Sequence, residues 1–433
     1  MKMCKDRIRR DRMFALLSLL LVMAAAFLWF VIFLSSCRSK DNMPADSMPF
    51  TRVTLKDALV KSDVGSIAVT NINKDDHPDI VAGGRWYEGP DWDPHVFYVI
   101  DTEKYIDMAR SEVYDVDGDG YIDVLGNSIP IKGERNREIF WLKNPGPPFT
   151  GVWEKYLITT SWMYLEIIRF VDIDNDKRIE MITVDDGSGS YGGVRIYEIP
   201  VDPTHPNQQN WEWRWVINRP LHGLAIGDLN TDGRLDIASD FRWYEQTATG
   251  GWIENTMPAP PIDDHGDSHK RGHLTMHSLI YDVDNDGDQD ILWARAHNYG
   301  AFWMESSGGS NPTFTLHEIL PGQLPSTIHG PSYGDIDGDG DTDIFAGKCR
   351  YSHGDPGQRD PLDVFWIELA RSGSTVSWVK HQLAKDLNMG FGPAVADIDN
   401  DGDMDLVMGG MGHARGRPPQ RNVTIFRNDS STQ

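Results

Sequence analysis

The sequence of 433 residues has very little cysteine and fewer basic than acidic residues. Both shortages limit the classes of protein to which it can belong. Of its three cysteines, Cys4 and Cys37 fall within or at the end of a hydrophobic leader, and Cys349 stands alone in the body. A disulfide framework in the body is therefore excluded. The 41 lysines and arginines are outnumbered by 65 aspartates and glutamates, so the formal net charge is −24. Such acidity argues against nucleic acid as a partner.

Familiar catalytic signatures are missing as well. The chain has no glycine-rich phosphate loop, no nucleophile elbow and no His-Glu-x-x-His motif. Hydrophobic residues make up 40% of the chain and aromatic residues 10%, as in an ordinary globular protein. Function must therefore be sought in the arrangement of the repeated segments.

The N-terminus has the pattern of an export signal. Residues 1–13 are rich in lysine and arginine, and Phe14 to Leu34 follow with only Ser18 polar. The next residues, up to Cys37, resemble a bacterial lipobox, in which Cys37 would be lipidated and become the mature N-terminus. The alternative is an uncleaved signal anchor, because the apolar run is long enough to span a bilayer. Both interpretations predict an exported, cell-envelope protein tethered to the membrane, with a polar tether over residues 38–49.

An acidic loop is the motif that organises the body. Asp335, Asp337, Asp339 and Asp343 occupy positions 1, 3, 5 and 9 of one such loop, and Gly340 occupies position 6. Alternating carboxylates in a tight turn form an oxygen-only site suited to Ca²⁺. Apolar, strand-like residues flank the loop, so the sequence predicts strand, calcium loop, strand.

Seven copies of this loop start 44 to 62 residues apart, a spacing typical of propeller blades. The predicted calcium ligands are Asn71, Asn73, Asp75 and Asp79; Asp115, Asp117, Asp119 and Asp123; Asp172, Asp174, Asp176 and Glu180; Asp228, Asn230, Asp232 and Asp236; Asp282, Asp284, Asp286 and Asp290; Asp335, Asp337, Asp339 and Asp343; and Asp397, Asp399, Asp401 and Asp405. We expect the loops that begin at Asn71 and Asp172 to bind calcium most weakly, because they depart furthest from the pattern.

The repeats predict an all-β fold, a seven-bladed β-propeller over residues 50–429, followed by a short tail at 430–433. The last repeat ends after its third strand, near Asn428. Residues 50–55, ahead of the first loop, read as a strand without a blade of its own. We expect this strand to complete blade seven and leave no open edge.

These repeats resemble the FG-GAP/VCBS family, whose members are calcium-loaded seven-bladed propellers such as the integrin α-subunit head. Third-strand motifs such as Trp86-Tyr87-Glu88 and Trp243-Tyr244-Glu245 are similar to those in the propeller of aldos-2-ulose dehydratase and its bacterial relatives. The first resemblance implies several structural Ca²⁺ ions. The second implies a carbohydrate substrate and dehydratase activity.

Candidate site residues gather at the face opposite the calcium loops. Positions about six residues before each loop should lie there, near the axis, and they include Arg110, Glu166, His222, His277 and His329. The connections between second and third strands should emerge at the same face and supply further polar residues: Arg85, Asp240, Arg295, His297, Lys348, Arg350, His353, His413 and Arg415. Three histidines at equivalent positions of adjacent blades predict a shared pocket, with a further divalent metal as one use for it.

The pattern favours a carbon–oxygen lyase or dehydratase that acts on a sugar or uronic-acid glycan by proton abstraction and β-elimination. In this hypothesis His329 or His277 is the base, and His222 is a metal ligand or acid. Arg295, Lys348 or Arg350 would hold a carboxylate or oxyanion. The alternative is a non-catalytic surface propeller that binds glycans or proteins, and a third interpretation is a scaffold for an envelope complex.

Overall fold

The structure is a computed structural model that describes residues 48–55, 65–99, 105–107, 112–130, 137–161, 165–185, 192–206, 210–219, 221–260, 277–350, 357, 360–373, 375–410 and 422–430. These residues belong to one compact unit, Met48–Gln433. The leader, Cys37 and residues 38–47 of the tether lie outside them. Among the described residues, no helix has the length and apolar character needed to cross a membrane.

The described strands form seven antiparallel sheets, one for each loop repeat. The N-terminal strand and the first three blades comprise β1 (Phe50–Leu55); β2 (Ala68–Thr70), β3 (Asp79–Ala82), β4 (Arg85–Glu88) and β5 (Asp93–Val96); β6 (Tyr105–Asp107), β7 (Glu112–Tyr114), β8 (Asp123–Pro130), β9 (Arg137–Lys143) and β10 (Glu154–Ser161); and β11 (Leu165–Val171), β12 (Glu180–Asp185), β13 (Gly193–Glu198) and β14 (Trp213–Ile217).

Blades four to seven repeat the same order. They comprise β15 (Ala225–Gly227), β16 (Asp236–Ser239), β17 (Arg242–Gln246) and β18 (Trp252–Thr256); β19 (Leu279–Tyr281), β20 (Asp290–Ala294), β21 (Ala301–Ser306) and β22 (Phe314–Ile319); β23 (Ser332–Gly334), β24 (Asp343–Gly347), β25 (Val364–Ser372) and β26 (Thr375–Ala384); and β27 (Ala394–Ala396), β28 (Asp405–Gly409) and β29 (Val423–Asn428). The predicted seven-bladed all-β propeller is confirmed.

The hydrophobic core lies between blades. Strand β24 is buried along its whole length, as a strand covered on both faces should be. The outer strand β26 alternates between exposed and partly buried residues over its first six positions, and only His381 and Ala384 near its end are buried. Between blades five and six, Leu292 and Trp303 of one sheet pack with Ile344 and Phe365 of the next. Burial of this kind in every gap holds the blades at a fixed pitch around the axis.

Strand β1 closes the ring as the fourth strand of blade seven. It pairs antiparallel with β29, from Phe50 opposite Asn428 to Leu55 opposite Val423. Thr51 Oγ1 also donates to Asp429 Oδ2 at 2.5 Å. The expected closure is confirmed, so the backbone groups at the edge of β29 are paired and not left open.

The first strand of each blade lines the axis, because neighbouring first strands contact one another: β2 with β7 and β27, β15 with β19, and β23 with β27. Each first strand runs into its acidic loop, which places the loops at one end of the axis. Blade two has an additional strand that the sequence did not reveal. Strand β8 continues past the blade, and its extra length pairs with β6, Tyr105 opposite Pro130.

At the other end of the axis, backbone hydrogen bonds link successive blades. Thr327 N donates to Asn298 O at 2.9 Å, Cys349 N to Thr327 O at 3.0 Å, and Met389 N to Lys348 O at 3.1 Å. These bonds join connections of blades five, six and seven. They hold the segments that carry the candidate histidines in a fixed relation to one another.

Candidate functional site

Three histidines from blades four, five and six meet at the axial end opposite the acidic loops. His222 precedes β15, His329 precedes β23, and His297 lies in the connection between β20 and β21. All three are buried, at 1%, 4% and 8% exposure respectively. Every pair of rings has a centroid distance of 5.1 Å and an edge-on orientation. One nitrogen from each ring lies within 4.8 Å of the other two.

Close backbone packing sets the position of His329. The next residue, Gly330, must be glycine because a Cβ there would overlap the carbonyl oxygen of Phe391 in blade seven. Phe391 in turn packs on the His329 ring, with centroids 4.6 Å apart. On the other side, the bond from Thr327 to Asn298 brings the His297 segment alongside. The three imidazoles are therefore held by the packing of rigid blades.

Three imidazole nitrogens converging on one point are a donor set typical of zinc and other borderline divalent metals. His222 and His329 were expected here from their equivalent positions. His297 was predicted only as a substrate-binding residue at the rim. The spacing of first strands could not identify it, because it lies on a connection of variable length.

His277 does not join this cluster, and the expectation that it would was wrong. Its backbone forms a parallel bridge with Leu224, and its ring Nδ1 accepts a hydrogen bond from the Arg169 guanidinium. Tyr333 donates its hydroxyl proton to the His277 carbonyl at 3.0 Å. These contacts turn the imidazole toward the central channel instead of toward His222.

The channel contains a cavity of about 200 Å³ next to His277. Its polar lining consists of Ser66, Glu112, Glu166, Arg169 and His277. Arg169 Nη1 pairs with Glu112 Oε2 at 2.9 Å. Burial raises the pKa of Glu112 above its usual range, although the Arg169 charge and hydrogen bond oppose this rise. The cavity is thus a small polar chamber that holds an ion pair, a second carboxylate and an imidazole.

The cavity and the histidine cluster lie close together. Gly392, the residue after Phe391, lines the cavity, while Phe391 itself packs on His329. A Cβ placed on Gly330 would also lie 3.2 Å from the His277 ring. The stretch Phe391-Gly392 therefore borders both the histidine cluster and the cavity.

The predicted anion-holding residues take other positions. Lys348 is fully buried, and its Nζ donates to Ser326 Oγ at 2.5 Å. The Arg350 guanidinium donates a hydrogen bond to the Asp360 carbonyl oxygen. The Arg295 guanidinium carbon lies 5.5 Å from the centre of the Phe302 ring. None of the three lines the central cavity. Their side chains are directed to neighbouring protein groups because these connections fold back on the blades.

The remaining predicted site residues are distributed around the same end. Glu166 lines the cavity. Arg85 is buried at 8% exposure at the start of β4, and Asp240 occupies the turn between β16 and β17 with a φ of 46°. Arg110, His353, His413 and Arg415 lie outside the described residues.

At the opposite end, the acidic loops hold their own shape through side chain to backbone bonds. In loop six, Asp335 Oδ2 accepts the Gly340 N–H at 3.1 Å and Asp339 Oδ1 accepts the Asp341 N–H at 2.8 Å. Carboxylate oxygens of three residues converge within 4.8 Å in several loops, among them Asp115, Asp117 and Asp123; Asp172, Asp174 and Glu180; Asp282, Asp284 and Asp290; and Asp335, Asp337 and Asp339. These oxygen clusters fit a hard cation.

The carboxylate at position 9 has a role that the sequence did not reveal. Asp343 accepts two backbone N–H bonds at 2.9 Å, from Ile336 in the loop and from Leu369 at the end of the blade's core. Burial raises its pKa to about 9, and nearby Asp337 contributes. Asp123 and Asp405 likewise each accept one backbone N–H bond from the loop and one from a residue at the end of the third strand. Burial raises the pKa of each of these two carboxyl groups to about 7. This residue therefore ties each loop to its blade.

The repeated aromatic residues of the third strands pack as expected. Trp86 stacks on His95 at 4.3 Å, and Trp366 stacks on His381 at the same distance. The histidine in each case also contacts the glutamate two residues after the tryptophan, as His95 does with Glu88 at 2.8 Å. These histidines on outer strands are thus structural, and they differ in environment from the axial cluster.

Comparison with known proteins supports the repeat assignment. Residues 115–183 and 282–346 match the FG-GAP-like repeat. No curated protein matches the sequence significantly. Among solved structures, the V. cholerae biofilm matrix protein Bap1 is similar at 12% identity and a TM-score of 0.49, over 88% of this chain and 91% of that one. The seven sheets and the two matched segments together identify a seven-bladed β-propeller that contains FG-GAP-like repeats.

Proposed function

We propose that this protein is an exported, membrane-tethered lyase or dehydratase for carbohydrates, with a divalent transition metal bound by His222, His297 and His329. The observation that carries the proposal is the convergence of one nitrogen from each of these buried rings. Packing alone would fill such a position with apolar side chains, as it does between the blades. A three-histidine site also leaves coordination positions open for substrate.

The metal would act as a Lewis acid that polarises a substrate carbonyl. The chain itself supplies a base in Glu166, which lines the adjacent cavity together with His277. In the proposed elimination, the base removes the proton α to the carbonyl and returns it to the β-oxygen, which leaves as water from a hydroxyl or as an alcohol from a glycosidic bond. The product is an α,β-unsaturated carbonyl. This assignment moves the role of base away from His329, which is a metal ligand in the proposal.

Calcium in the acidic loops is a separate part of the proposal. The converging carboxylate oxygens repel one another, and a bound cation would relieve that repulsion. Millimolar calcium outside the cytoplasm would suit sites of modest affinity. The basic and apolar leader that ends at Cys37 supports export and a lipid or helical tether.

The test combines metal analysis with an activity screen. The purified protein should contain close to one zinc or similar divalent transition-metal ion per chain. The variants His222→Ala, His297→Ala and His329→Ala should each lose this ion. His205→Ala, on an exposed loop, is the matched control and should retain the metal. Neutral keto-sugars and uronic-acid polysaccharides should then be screened for the ultraviolet absorbance of an unsaturated product. Absence of a stoichiometric metal would contradict the site, and glycan binding without turnover would identify a binding module instead.

A further inference from the structure

One position in each third strand faces the acidic loop of its own blade. Strand register defines this position as the residue after the one that pairs with the first apolar residue of the second strand. In blade one it follows Tyr87, which pairs with Ile80, and in blade two it follows Leu142, which pairs with Val124. In blade seven it follows Phe426, which pairs with Leu406. From blade one to blade seven, this position holds Glu88, Lys143, Glu198, Glu245, Glu305, Glu368 and Arg427. Five blades therefore carry an acid where blades two and seven carry a base.

The glutamates at this position are close to the loop ligands. Glu88 accepts a hydrogen bond from Asn73 Nδ2 at 2.9 Å. Glu368 lies near enough to Asp337 to affect its ionisation. In blades one and six the third strand thus adds negative charge beside position 3 of the loop. In blade three Glu198 pairs with Arg214, which also lies 3.3 Å from Asp174 but belongs to the fourth strand.

Blade two has the opposite arrangement. The Lys143 ammonium donates to Asp117 Oδ2 and, at 2.6 Å, to Asp119 Oδ2. Asp117 belongs to the cluster of converging oxygens in this loop, and its side chain is only 10% exposed. A second ammonium, that of Lys74, lies over the neighbouring Tyr121 ring at 3.9 Å. The carboxylates at positions 3 and 5 are therefore already paired with a cation from the chain.

Blade seven is an intermediate case. Arg427 Nε binds Asp429 Oδ1 at 2.7 Å and lies 3.9 Å from Asp399 Oδ2. Its guanidinium is thus held mainly by a residue outside the loop. Only in blade two, among the described loops, does the basic side chain at this position bond to two carboxylates of the loop.

We propose that Lys143 is a built-in counter-cation that makes the second acidic loop independent of calcium, although this loop has the complete ligand pattern. An ammonium needs only three acceptors, whereas Ca²⁺ takes six to eight oxygens, so the lysine can neutralise the loop without assembling a full coordination shell. A positive charge already bonded to two of the ligands also repels a second cation. This inference rests on the proposed calcium sites of the other loops.

The experiment counts calcium bound per chain by equilibrium dialysis after treatment with EDTA. Lys143→Glu installs the acid found in five other blades and should bind one calcium more than the unmodified protein. Lys155→Glu, on the outer strand of the same blade and paired with Glu138, is the matched control and should leave the count unchanged.

Two further variants locate the ions. Asp117→Asn should not change the count in the unmodified protein but should remove one calcium in the Lys143→Glu background. Asp337→Asn should remove one calcium from loop six, which verifies that an ordinary loop binds. Loss of one calcium on Asp117→Asn alone would overturn the role of Lys143, even if Lys143→Glu does not fold. A protein that binds no calcium, with Asp337→Asn without effect, would overturn the calcium sites and this inference together.

Discussion

The two ends of the propeller axis differ in how closely they follow the repeat. At the loop end, every blade presents an acidic residue at positions 5 and 9 of its loop, and the bonds that Asp343 makes in blade six recur through Asp123 in blade two. At the other end, the three clustered histidines come from only three blades, and one of them lies off the repeated position. Repetition thus describes the scaffold, whereas departure from repetition identifies the candidate site. The second acidic loop shows the same rule locally, since Lys143 departs from the acid of its neighbours.

The strongest way to break the scaffold without touching either end is to remove its closure. Deleting Met48 to Leu55 would leave the β29 edge unpaired along the whole register from Val423 to Asn428. We expect aggregation or loss of folding, measured by size-exclusion chromatography and circular dichroism. Deletion of the tether only as far as Ser47 is the control. A truncated protein that melts like the control would contradict the importance of this closure.

Calcium removal should affect the loop end strongly and the histidine end little. A site in free calcium at about ten times its dissociation constant would stabilise the fold by about 1.4 kcal/mol, and several sites would add to this stabilisation. Addition of EGTA, which also removes zinc, should therefore lower the melting temperature by many degrees, and excess calcium without added zinc should restore it. Identical melting curves with and without calcium would count against structural ions in the loops.

The stability of the calcium-free protein should also depend on pH. Burial raises the pKa of Asp343 to about 9 and that of Asp123 to about 7, from an ordinary value near 4. Between about pH 4 and pH 7 the folded state therefore binds more protons than the unfolded state, and stability falls as the pH rises. The melting temperature without calcium should be higher at pH 5 than at pH 8.

Calcium should reduce this dependence, because the cation stabilises the ionised carboxylates. Asp343→Asn, which removes one of the titrating groups, should flatten the slope relative to the parent protein. A melting temperature that rises steadily from pH 5 to pH 8 without calcium would show that these carboxylates are not the controlling groups.

The smallest effect on stability is expected at the histidine end. If His222, His297 and His329 serve as ligands, single alanine variants should lose metal and activity while the calcium-dependent melting changes little. If they are structural, each should cost about 1–3 kcal/mol through buried partners left unpaired. Melting and metal content must be measured on the same preparations. Variants that keep metal, activity and stability would remove this cluster from consideration.

Much of the scaffold could be predicted from the sequence because its determinants are local. The spacing of acidic residues within nine positions shapes each loop, and alternating apolar residues define the strands on either side. The N-terminal strand, residues 50–55, was assigned correctly because the last repeat lacked a strand and the chain had one to spare. The additional strand β6 is not part of the repeat, so no repeated pattern indicated it. The same holds for residues 48–49 at the end of the tether.

Local patterns in the sequence were enough to predict the number of blades and the two ends of the axis, since those depend on residues near one another in the chain. The closure joins distant segments, residues 50–55 and 423–428, and was predictable only because the strand count left one strand to spare. Which side chains meet at the axis depends on how the blades pack. His297 joins His222 and His329 because bonds between blades bring its connection inward, while Arg169 holds His277 in the channel. Lys143 reaches Asp117 across 26 residues of chain through the pairing of β8 with β9. Such contacts depend on the pitch of packed sheets, which no local pattern specifies.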